Sequence, residues 1–397
     1  MNKPDNFISK MFAPIKPLSP GIYHYQAPPD NPDNYRLHLR IEPDGNGLLV
    51  INASTVLHLN QTAAEYAYHI VNQTPEKEVI SSVKRRYRTK REEVINDFTS
   101  FSKQIDLLIH TIDLEPVSYL EFERQAPYSR QTSAPYRLDC ALTYRLPEGA
   151  SQDAAPIKRV DRELSTEEWK SIIDRSWAAG IPHLIFTGGE PTLREDLVEL
   201  IAYAESLGQV TGLLTNGIKL GDTKYLQAVL EAGLDHVMIL LEPDHDASWD
   251  SLASFSYWKE TLDDDIFVCV HLTITSNNHA AAFELVDKLA QAGVSAISLS
   301  TNDPALTSQL EEVREHVDEQ DIELIWDIPV PYSNLNPVAL ELELDDDKEE
   351  TFQGAGRAWL YVEPDGDVLP GQGINHLLGN FLNDQWESIW AKASGHD

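Results

Sequence analysis

Apolar and polar residues follow a repeating pattern over much of this chain. Short apolar runs such as His183 to Phe186 and Val210 to Thr215 are each followed by a longer segment with apolar residues at helical spacing. Repeats of this kind predict a parallel sheet with right-handed crossover helices. The predicted strands are Arg137 to Tyr144, His183 to Phe186, Val210 to Thr215, His236 to Leu241, Phe267 to Thr275, Ala296 to Leu299 and Glu323 to Trp326; the predicted helices are Thr166 to Ala179, Arg194 to Leu207, Thr223 to Ala232, Ser248 to Thr261, Ala280 to Ala292 and Thr307 to Glu319.

A different pattern precedes residue 116. Strand-like segments around the turn Gly45-Asn46-Gly47 lead into three amphipathic stretches, which predicts a small α+β domain with a winged-helix-like order of elements. Its predicted strands are Arg36 to Ile41, Leu48 to Ile51 and Thr55 to Leu59, and its predicted helices are Thr62 to Val71, Lys77 to Arg88 and Lys90 to Ile112, with Thr89 as a cap. The Arg85 to Arg88 cluster is expected to form a solvated rim. The expected division of the chain is an N-terminal arm over 1–20, the small domain over 21–115, a linker over 116–135, the repeating α/β domain over 136–330 and a C-terminal region over 331–397.

Composition excludes some partners. The chain has 64 Asp and Glu against 31 Lys and Arg, a formal net charge of -33. Nucleic acid is therefore not expected as a partner, because phosphate binding needs a basic surface. No apolar run reaches the roughly 18 residues of a membrane span, and Met1 to Lys16 lacks the apolar core of a signal peptide. These features predict a cytoplasmic protein with no membrane partner.

The turn Gly188-Gly189-Glu190-Pro191 is the strongest chemical motif. It joins a predicted strand to a predicted helix, where glycine allows a sharp turn and Glu190 offers an acceptor for an ammonium or hydroxyl group. In parallel folds the carboxyl ends of neighbouring strands meet at one mouth, so Asn216 after the next strand is expected nearby. The alternative is a turn whose glycines serve only the backbone geometry.

The amino-acid sequence around this motif resembles that of radical S-adenosylmethionine (SAM) enzymes of the SPASM/twitch group. The resemblance runs from Glu163 through the Gly-Gly-Glu-Pro turn to Gly217, and again over Trp359 to Gly371 and Leu378 to Trp390. It implies an α/β fold: a partial (β/α)6 TIM-like barrel followed by a short SPASM/twitch-like β-hairpin region. It also implies that Gly188, Gly189, Glu190, Pro191 and Asn216 are SAM-binding residues, with the turn holding the amino group of SAM.

The cysteines of this family are missing. Its first loop carries C-x3-C-x2-C, and the matching positions after Leu142-Thr-Tyr-Arg are Leu146, Ala150 and Asp153. Gly371 stands where the C-terminal region has another cysteine, and the chain holds only Cys140 and Cys269, which are expected to be buried structural thiols. Leucine and alanine cannot ligate iron, and one carboxylate is a poor ligand for a sulfide cluster. We therefore expect no metal site, no 4Fe-4S cluster, and weak or absent binding of SAM, the one cofactor that the motif still suggests.

Residues 20 to 115 resemble the PqqD-like peptide-recognition element. In that family the leader of a precursor peptide adds as a strand to the sheet edge. We expect peptide contacts at Leu48, Leu49, Val50 and Ile51, although the sequence does not show which strand is the edge. The alternative is a winged-helix domain that serves only dimerisation.

Three functions follow from these features. The first is a pseudoenzyme that binds a precursor leader peptide, a cluster-bearing radical SAM homologue, or both. The second is a non-radical enzyme, SAM-binding or not, that uses Glu190 or Glu242 as acid-base groups with His271 or His183 nearby. The third is a radical enzyme whose cluster is supplied across a subunit interface.

Overall fold

The computed structural model describes residues 18–28, 31, 35–52, 55–110, 132–148, 160–243, 245–262, 266–301, 303–325 and 354–395 of the 397. The expected N-terminal arm as far as residue 17, most of the expected linker, and the cluster positions Ala150 and Asp153 lie outside these residues. The chain divides into two compact units, residues 1–130 and 131–397, and each is described here by itself.

The first unit is an antiparallel sheet with three helices. Its strands lie in chain order, β1-β2-β3-β4, and its helices follow them. The elements are β1 Gly21–Gln26, β2 Arg36–Ile41, β3 Gly47–Ile51, β4 Thr55–Leu59, α1 Gln61–Val71, α2 Glu76–Arg86 and α3 Arg91–His110. Strands β2, β3 and β4 were predicted to within one residue, whereas β1 was not predicted.

Alternation along the strands builds the core of this unit. Leu37 and Leu39 of β2 pack with Leu49 and Ile51 of β3 against the apolar faces of the three helices. The intervening residues point to the other face of the sheet, and Leu48 among them is buried as well. The four residues predicted to contact a peptide are therefore divided between the two faces of the sheet: Leu49 and Ile51 face the helices, and Leu48 and Val50 lie on the opposite face.

The second unit contains a ten-stranded sheet with helices on its outer side. Its strand order is β11-β10-β9-β8-β7-β6-β5-β12-β13-β14, and β5 through β11 pair in parallel. The strands are β5 Arg137–Thr143, β6 His183–Gly188, β7 Val210–Thr215, β8 His236–Leu240, β9 Phe267–Ile274, β10 Ala296–Thr301, β11 Glu323–Leu324, β12 Trp359–Val362, β13 Asp367–Leu369 and β14 Gly379–Asn380; the helices are α4 Thr166–Ala178, α5 Leu197–Leu207, α6 Thr223–Glu231, α7 Asp246–Leu262, α8 Ala282–Gln291, α9 Thr307–Glu319 and α10 Trp386–Ala393.

The inner face of this sheet has an apolar layer with a polar layer above it. Ile185, Leu214, Met238, Cys269 and Ala296 form the apolar layer, one residue from each of β6 to β10. Two residues further along β9 and β10, toward their carboxyl ends, the inward side chains become polar. The sheet therefore has a closed lower end and a polar upper end, where the loops after the strands meet.

The C-terminal segment continues the same sheet. Strand β12 pairs in parallel with β5, and β13 returns antiparallel to β12. The hairpin turn Glu363-Pro-Asp-Gly366 closes with a hydrogen bond from Glu363 N to Asp367 O of 2.8 Å. The hairpin of β12 and β13 therefore adds to the first strand of the barrel, while its SPASM/twitch-like character stays a prediction.

Candidate functional site

The glycine turn lies against the backbone of the first loop. Gly189 N donates to Thr143 O at 2.7 Å, and Glu190 N donates to Arg145 O at 2.8 Å. A Cβ on Gly188 would lie 2.1 Å from Thr143 O, and Gly188 has φ +132°, a conformation that side chains disfavour. A Cβ on Gly189 would lie 2.3 Å from Arg145 O. Both glycines are therefore required by the packing of the turn, whatever ligand the turn binds.

The Glu190 carboxylate is held inside the protein by four hydrogen bonds. Its Oε1 accepts from Thr192 N at 3.0 Å, Thr192 Oγ1 at 2.5 Å and Thr215 Oγ1 at 2.7 Å. Its Oε2 accepts from Asn216 N at 2.8 Å. Three of the four donors therefore share Oε1, whereas Oε2 accepts one hydrogen bond and keeps a lone-pair site. Glu190 thus binds the end of β7 to the turn that follows β6.

Burial dominates the electrostatics of Glu190. The residue is 3% exposed. Burial raises its pKa above the ordinary value, while the hydrogen bonds from Thr192, Thr215 and Asn216 favour the ionised form. The acceptor capacity that remains on Glu190 lies on Oε2.

The structure brings the five residues of the expected SAM site together. Pro191 begins a 3-10 turn, Pro191–Leu193, and Asn216 lies across from Glu190 with its backbone N–H on Oε2. The Asn216 side chain accepts from Ile218 N at 3.1 Å. Their convergence at one mouth is confirmed as geometry; SAM binding by them stays a prediction.

Arg194 links this turn to the first loop and was not identified from the sequence. Its guanidinium donates to Leu142 O at 3.2 Å, to Leu164 O at 3.0 Å and, in two bonds, to the Asp196 carboxylate at 2.8 and 2.6 Å. The residue is 7% exposed. This ion pair holds residues 194–196 in an irregular turn, so the helix expected from Arg194 begins only at Leu197.

Leu146, which the resemblance places at the first cysteine position of the family, is apolar and packed. Leu146 is 8% exposed and packs in a cluster with Ala141, Tyr144, Tyr361 and Leu369. Tyr144 fixes this region further, because its hydroxyl donates to Glu363 at 2.8 Å. An isobutyl side chain in a packed apolar cluster offers nothing to an iron ion. Gly371 is buried as well, and a Cβ there would lie 3.2 Å from Ala355 Cβ.

The two cysteines cannot replace the missing ligands. Cys140 packs on the helix side of β5, whereas Cys269 belongs to the apolar layer on the inner face. Burial raises the pKa of Cys140, and it raises the pKa of Cys269 to about 12, so neither is a thiolate at neutral pH. Among the residues that the structure describes, no group of three or more His, Cys, Asp and Glu side chains could hold a metal ion. The described residues therefore do not fit a 4Fe-4S cluster.

His271 lies in the polar layer and is fully satisfied. Its Nδ1 is 3.0 Å from Ser298 Oγ and its Nε2 is 2.9 Å from Ser300 Oγ. Burial lowers its pKa to about 3, so the ring is neutral at physiological pH.

His183, the second candidate histidine, lies away from the polar layer. His183 is at the opposite end of its strand, with Nε2 at 3.2 Å from Nε2 of His236. Burial lowers the pKa of both, that of His236 to about 4. Glu242 is partly buried after β8, at the mouth end. An acid-base pair of Glu190 or Glu242 with His183 is therefore not formed.

The expected peptide-binding run occupies an interior strand. Leu48, Leu49, Val50 and Ile51 lie in β3, which is hydrogen-bonded to β2 on one side and β4 on the other. A strand cannot be added there by backbone hydrogen bonds, because both sides are already paired. The edges of the described sheet are β1 and β4. Contact between these four side chains and a peptide stays a prediction.

Comparison with known proteins agrees with the barrel geometry. Residues 140–264 match the model of the Radical SAM superfamily. The chain is 26% identical over 293 residues to a PqqA peptide cyclase of Rhizobium meliloti, covering 66% of this chain and 74% of that one. It is 25% identical over 281 residues to a PqqA peptide cyclase of Bradyrhizobium diazoefficiens, covering 65% and 72%.

Solved structures share the fold at lower identity. Streptococcus suis SuiB bound to S-adenosylmethionine has a TM-score of 0.58 at 15% identity and covers 92% of this chain and 88% of its own. SuiB bound to the precursor peptide SuiA has a TM-score of 0.57 at the same identity and coverage. The second unit therefore contains a radical SAM domain with a TIM-barrel-like α/β fold. The chain is homologous to PqqA peptide cyclase.

No helix among the described residues combines the length and apolar character that a membrane span requires.

Proposed function

We propose that this protein is a cluster-free, radical-SAM-like pseudoenzyme that binds a ribosomally made precursor peptide. The observation that carries this proposal is the packing of Leu146. The residue at the first cluster position is an apolar side chain buried among Ala141, Tyr144, Tyr361 and Leu369. A position packed in this way supports the fold of the first loop and supplies no iron ligand.

Peptide binding is supported by the first unit and by the relatives. The unit presents two edge strands, β1 and β4, and an edge strand is a template for an added strand. PqqA peptide cyclase is named for a peptide substrate, and SuiB has been solved with its precursor peptide. We infer that a leader peptide of the same class adds to an edge of this sheet.

The radical step would then belong to a partner. A cluster-bearing radical SAM homologue could act on the peptide that this protein holds. SAM itself is expected to bind weakly here, because Glu190 already accepts four hydrogen bonds and no iron is available to chelate the amino and carboxylate groups of SAM.

Anaerobic reconstitution tests the cluster-free part. The purified protein is incubated with iron and sulfide, desalted, and assayed for iron, sulfide and absorbance near 400 nm. A PqqA peptide cyclase treated in parallel is the positive control. We expect background iron in this protein; about four irons per chain would contradict the proposal.

Binding measurements test the remaining parts separately. Calorimetry with SAM is expected to show no saturable heat, and micromolar affinity would contradict this. Fluorescence polarisation with short peptides encoded beside the gene is expected to show saturable binding to the full-length protein. If no such peptide binds, the peptide-binding part is wrong even when the cluster is absent.

The same geometry does not favour the two alternative functions, a non-radical enzyme and a radical enzyme whose cluster is supplied across a subunit interface. A non-radical enzyme would need an available base, but Glu190 is buried and hydrogen-bonded, and burial lowers the pKa of His271 to about 3, which makes its imidazole a weak base. A cluster supplied across a subunit interface would still need room at Leu146, which the packed cluster does not provide.

A further inference from the structure

Five exposed cations crowd the connection between α2 and α3. Residues 84–91 include the exposed side chains of Lys84, Arg85, Arg88, Lys90 and Arg91, which we call the basic turn. The whole chain carries a net charge of -33, so positive groups are scarce on it. A cluster of this sign on an acidic protein marks a local change of electrostatic potential.

In the part of the chain that the structure describes, four of the five cations in the basic turn lack an acidic partner, whereas Lys90 lies beside Glu93, whose Oε2 accepts from Lys90 N at 3.0 Å. Within the described ranges, Lys84, Arg85, Arg88 and Arg91 have no carboxylate at salt-bridge distance. Arg86 differs, because its Nε lies 3.2 Å from Glu65 Oε1 in the interior of the unit. The sequence prediction of a solvated rim therefore holds for the exposed members, while Arg86 is structural.

Helix stability explains only part of this arrangement. Cations at the C-terminus of α2, such as Lys84 and Arg85, interact favourably with the partial negative charge there. At the N-terminus of α3, Glu92 and Glu93 in the first turn supply the acidic residues that a helix start prefers, and they offset Lys90 and Arg91. Arg88 lies in the connection between the two helices, where neither helix end accounts for its charge.

The basic turn is fixed beside an edge strand. Tyr87 Oη donates to Gln61 O at 3.2 Å, and Arg86 pairs with Glu65, so the turn is attached to the first turn of α1. Gln61 follows Leu59, the last residue of β4, by two positions. A peptide added along β4 would therefore have one end close to the basic turn.

We propose that the basic turn binds an acidic segment of the precursor peptide, next to the part that pairs with β4. This inference rests on the proposed peptide-binding function. Exposed guanidinium groups bind carboxylates through paired hydrogen bonds and attract them from a distance. Nucleic acid fits less well, because a net charge of -33 repels a phosphate backbone.

Fluorescence polarisation with two synthetic peptides tests the inference. Both labelled peptides carry the same alternating Val-Thr segment; one continues with four Glu residues and the other with four Gln residues. We expect wild type to bind the Glu peptide about fivefold or more tightly than the Gln peptide at low salt, with the difference shrinking as salt rises. The double variant Arg85→Gln/Arg88→Gln is expected to lose this preference.

A matched control separates local from general charge effects. The double variant Lys77→Gln/Lys103→Gln removes the same two charges from exposed positions, with Lys77 near the other end of α2, about 12 Å from Arg85 along the helix, and Lys103 in α3. It is expected to keep the preference of wild type. Circular dichroism melting of all variants checks that these exposed substitutions leave the fold intact.

Several outcomes would overturn the inference. These are equal binding of the two peptides by wild type, an unchanged preference in the double variant, or tighter binding of a short DNA duplex than of the Glu peptide. If the Gln peptide binds wild type and variant equally and no preference exists, strand addition stands and only the basic turn is wrong. Failure of the proposed function appears instead as iron incorporation, or as no binding of either peptide.

Discussion

Replacement of Glu190 by glutamine tests whether this residue is a structural clamp or a ligand contact. In the structure its two oxygens accept from four donors that belong to Thr192, Thr215 and Asn216. Glutamine keeps one acceptor oxygen and replaces the other with an NH2 group that can only donate. Either orientation of the amide leaves a buried backbone N–H, of Thr192 or of Asn216, facing another donor.

The magnitude follows from the loss of that acceptor. A buried donor without a partner costs about 1–3 kcal/mol, and bonds to a charged acceptor lie at the upper end. We therefore expect Glu190→Gln to lower the free energy of unfolding by about 2 kcal/mol, equivalent to about 4–8 °C in Tm for a domain of this size. Glu195→Gln, an exposed substitution in the same segment, is the control and should change stability by less than about 0.5 kcal/mol.

Urea unfolding of the two variants and wild type, with SAM calorimetry in parallel, distinguishes the two roles. A clamp predicts a lower midpoint at unchanged m-value, with no SAM signal in any protein. A variant as stable as wild type, accompanied by loss of a measurable SAM affinity, would refute the clamp and restore the ligand role of Glu190.

Other substitutions probe the remaining features. In thermal melts Gly188→Ala should be destabilising by at least about 3 kcal/mol more than Gly293→Ala. Both glycines have positive φ, but a Cβ at Gly188 would meet backbone atoms, whereas nothing lies within 4 Å of a Cβ at Gly293. Equal effects of the two substitutions would contradict this. Burial lowers the pKa of His271 to about 3, so between pH 6.5 and 3 the unfolded chain binds a proton that the folded chain does not. The free energy of unfolding should therefore decrease as the pH is lowered through this range. His271→Gln should remove about 1 kcal/mol per pH unit of that slope, and an unaltered slope would show that His271 titrates normally. Cys140 and Cys269 should react with a thiol reagent only after denaturation, and rapid reaction of the native protein would show an accessible thiol.

Most of the barrel could be predicted because its elements are marked locally. The helix Thr307–Glu319 and the strand Val210–Thr215 have the expected bounds, and Ser165 with Glu168 forms a capping box at the start of α4. Hydrophobic periodicity and helix capping depend on residues that are close in sequence, so both can be recognised in a single sequence. The meeting of Gly188–Pro191 with Asn216 followed from a rule about parallel strands, and the structure confirms it.

Other features could not be predicted because they depend on partners distant in sequence. Strand β1 alternates between partly buried and exposed residues rather than between apolar and polar ones, so its period is weak. The position of Leu48 to Ile51 in an interior strand depends on the pairing of β3 with both β2 and β4, which the pattern does not encode. The hydrogen bonds that hold the Glu190 carboxylate depend on Thr192 and Thr215, ordinary residue types that form no recognisable motif in the sequence.

The pairing of β5 with β12 has a consequence for how this protein is made. Strand β5 leaves the ribosome early in the synthesis of its unit, but its partner β12 comes near the end, as the 219 positions between the bonded residues Tyr144 and Glu363 show. Until then one side of β5 has no partner, and an unpaired strand side invites pairing with other chains. Contacts of such long range also slow folding. We therefore expect chains that terminate before Trp359 to aggregate during expression, and chaperone supply to limit the yield of the full-length protein.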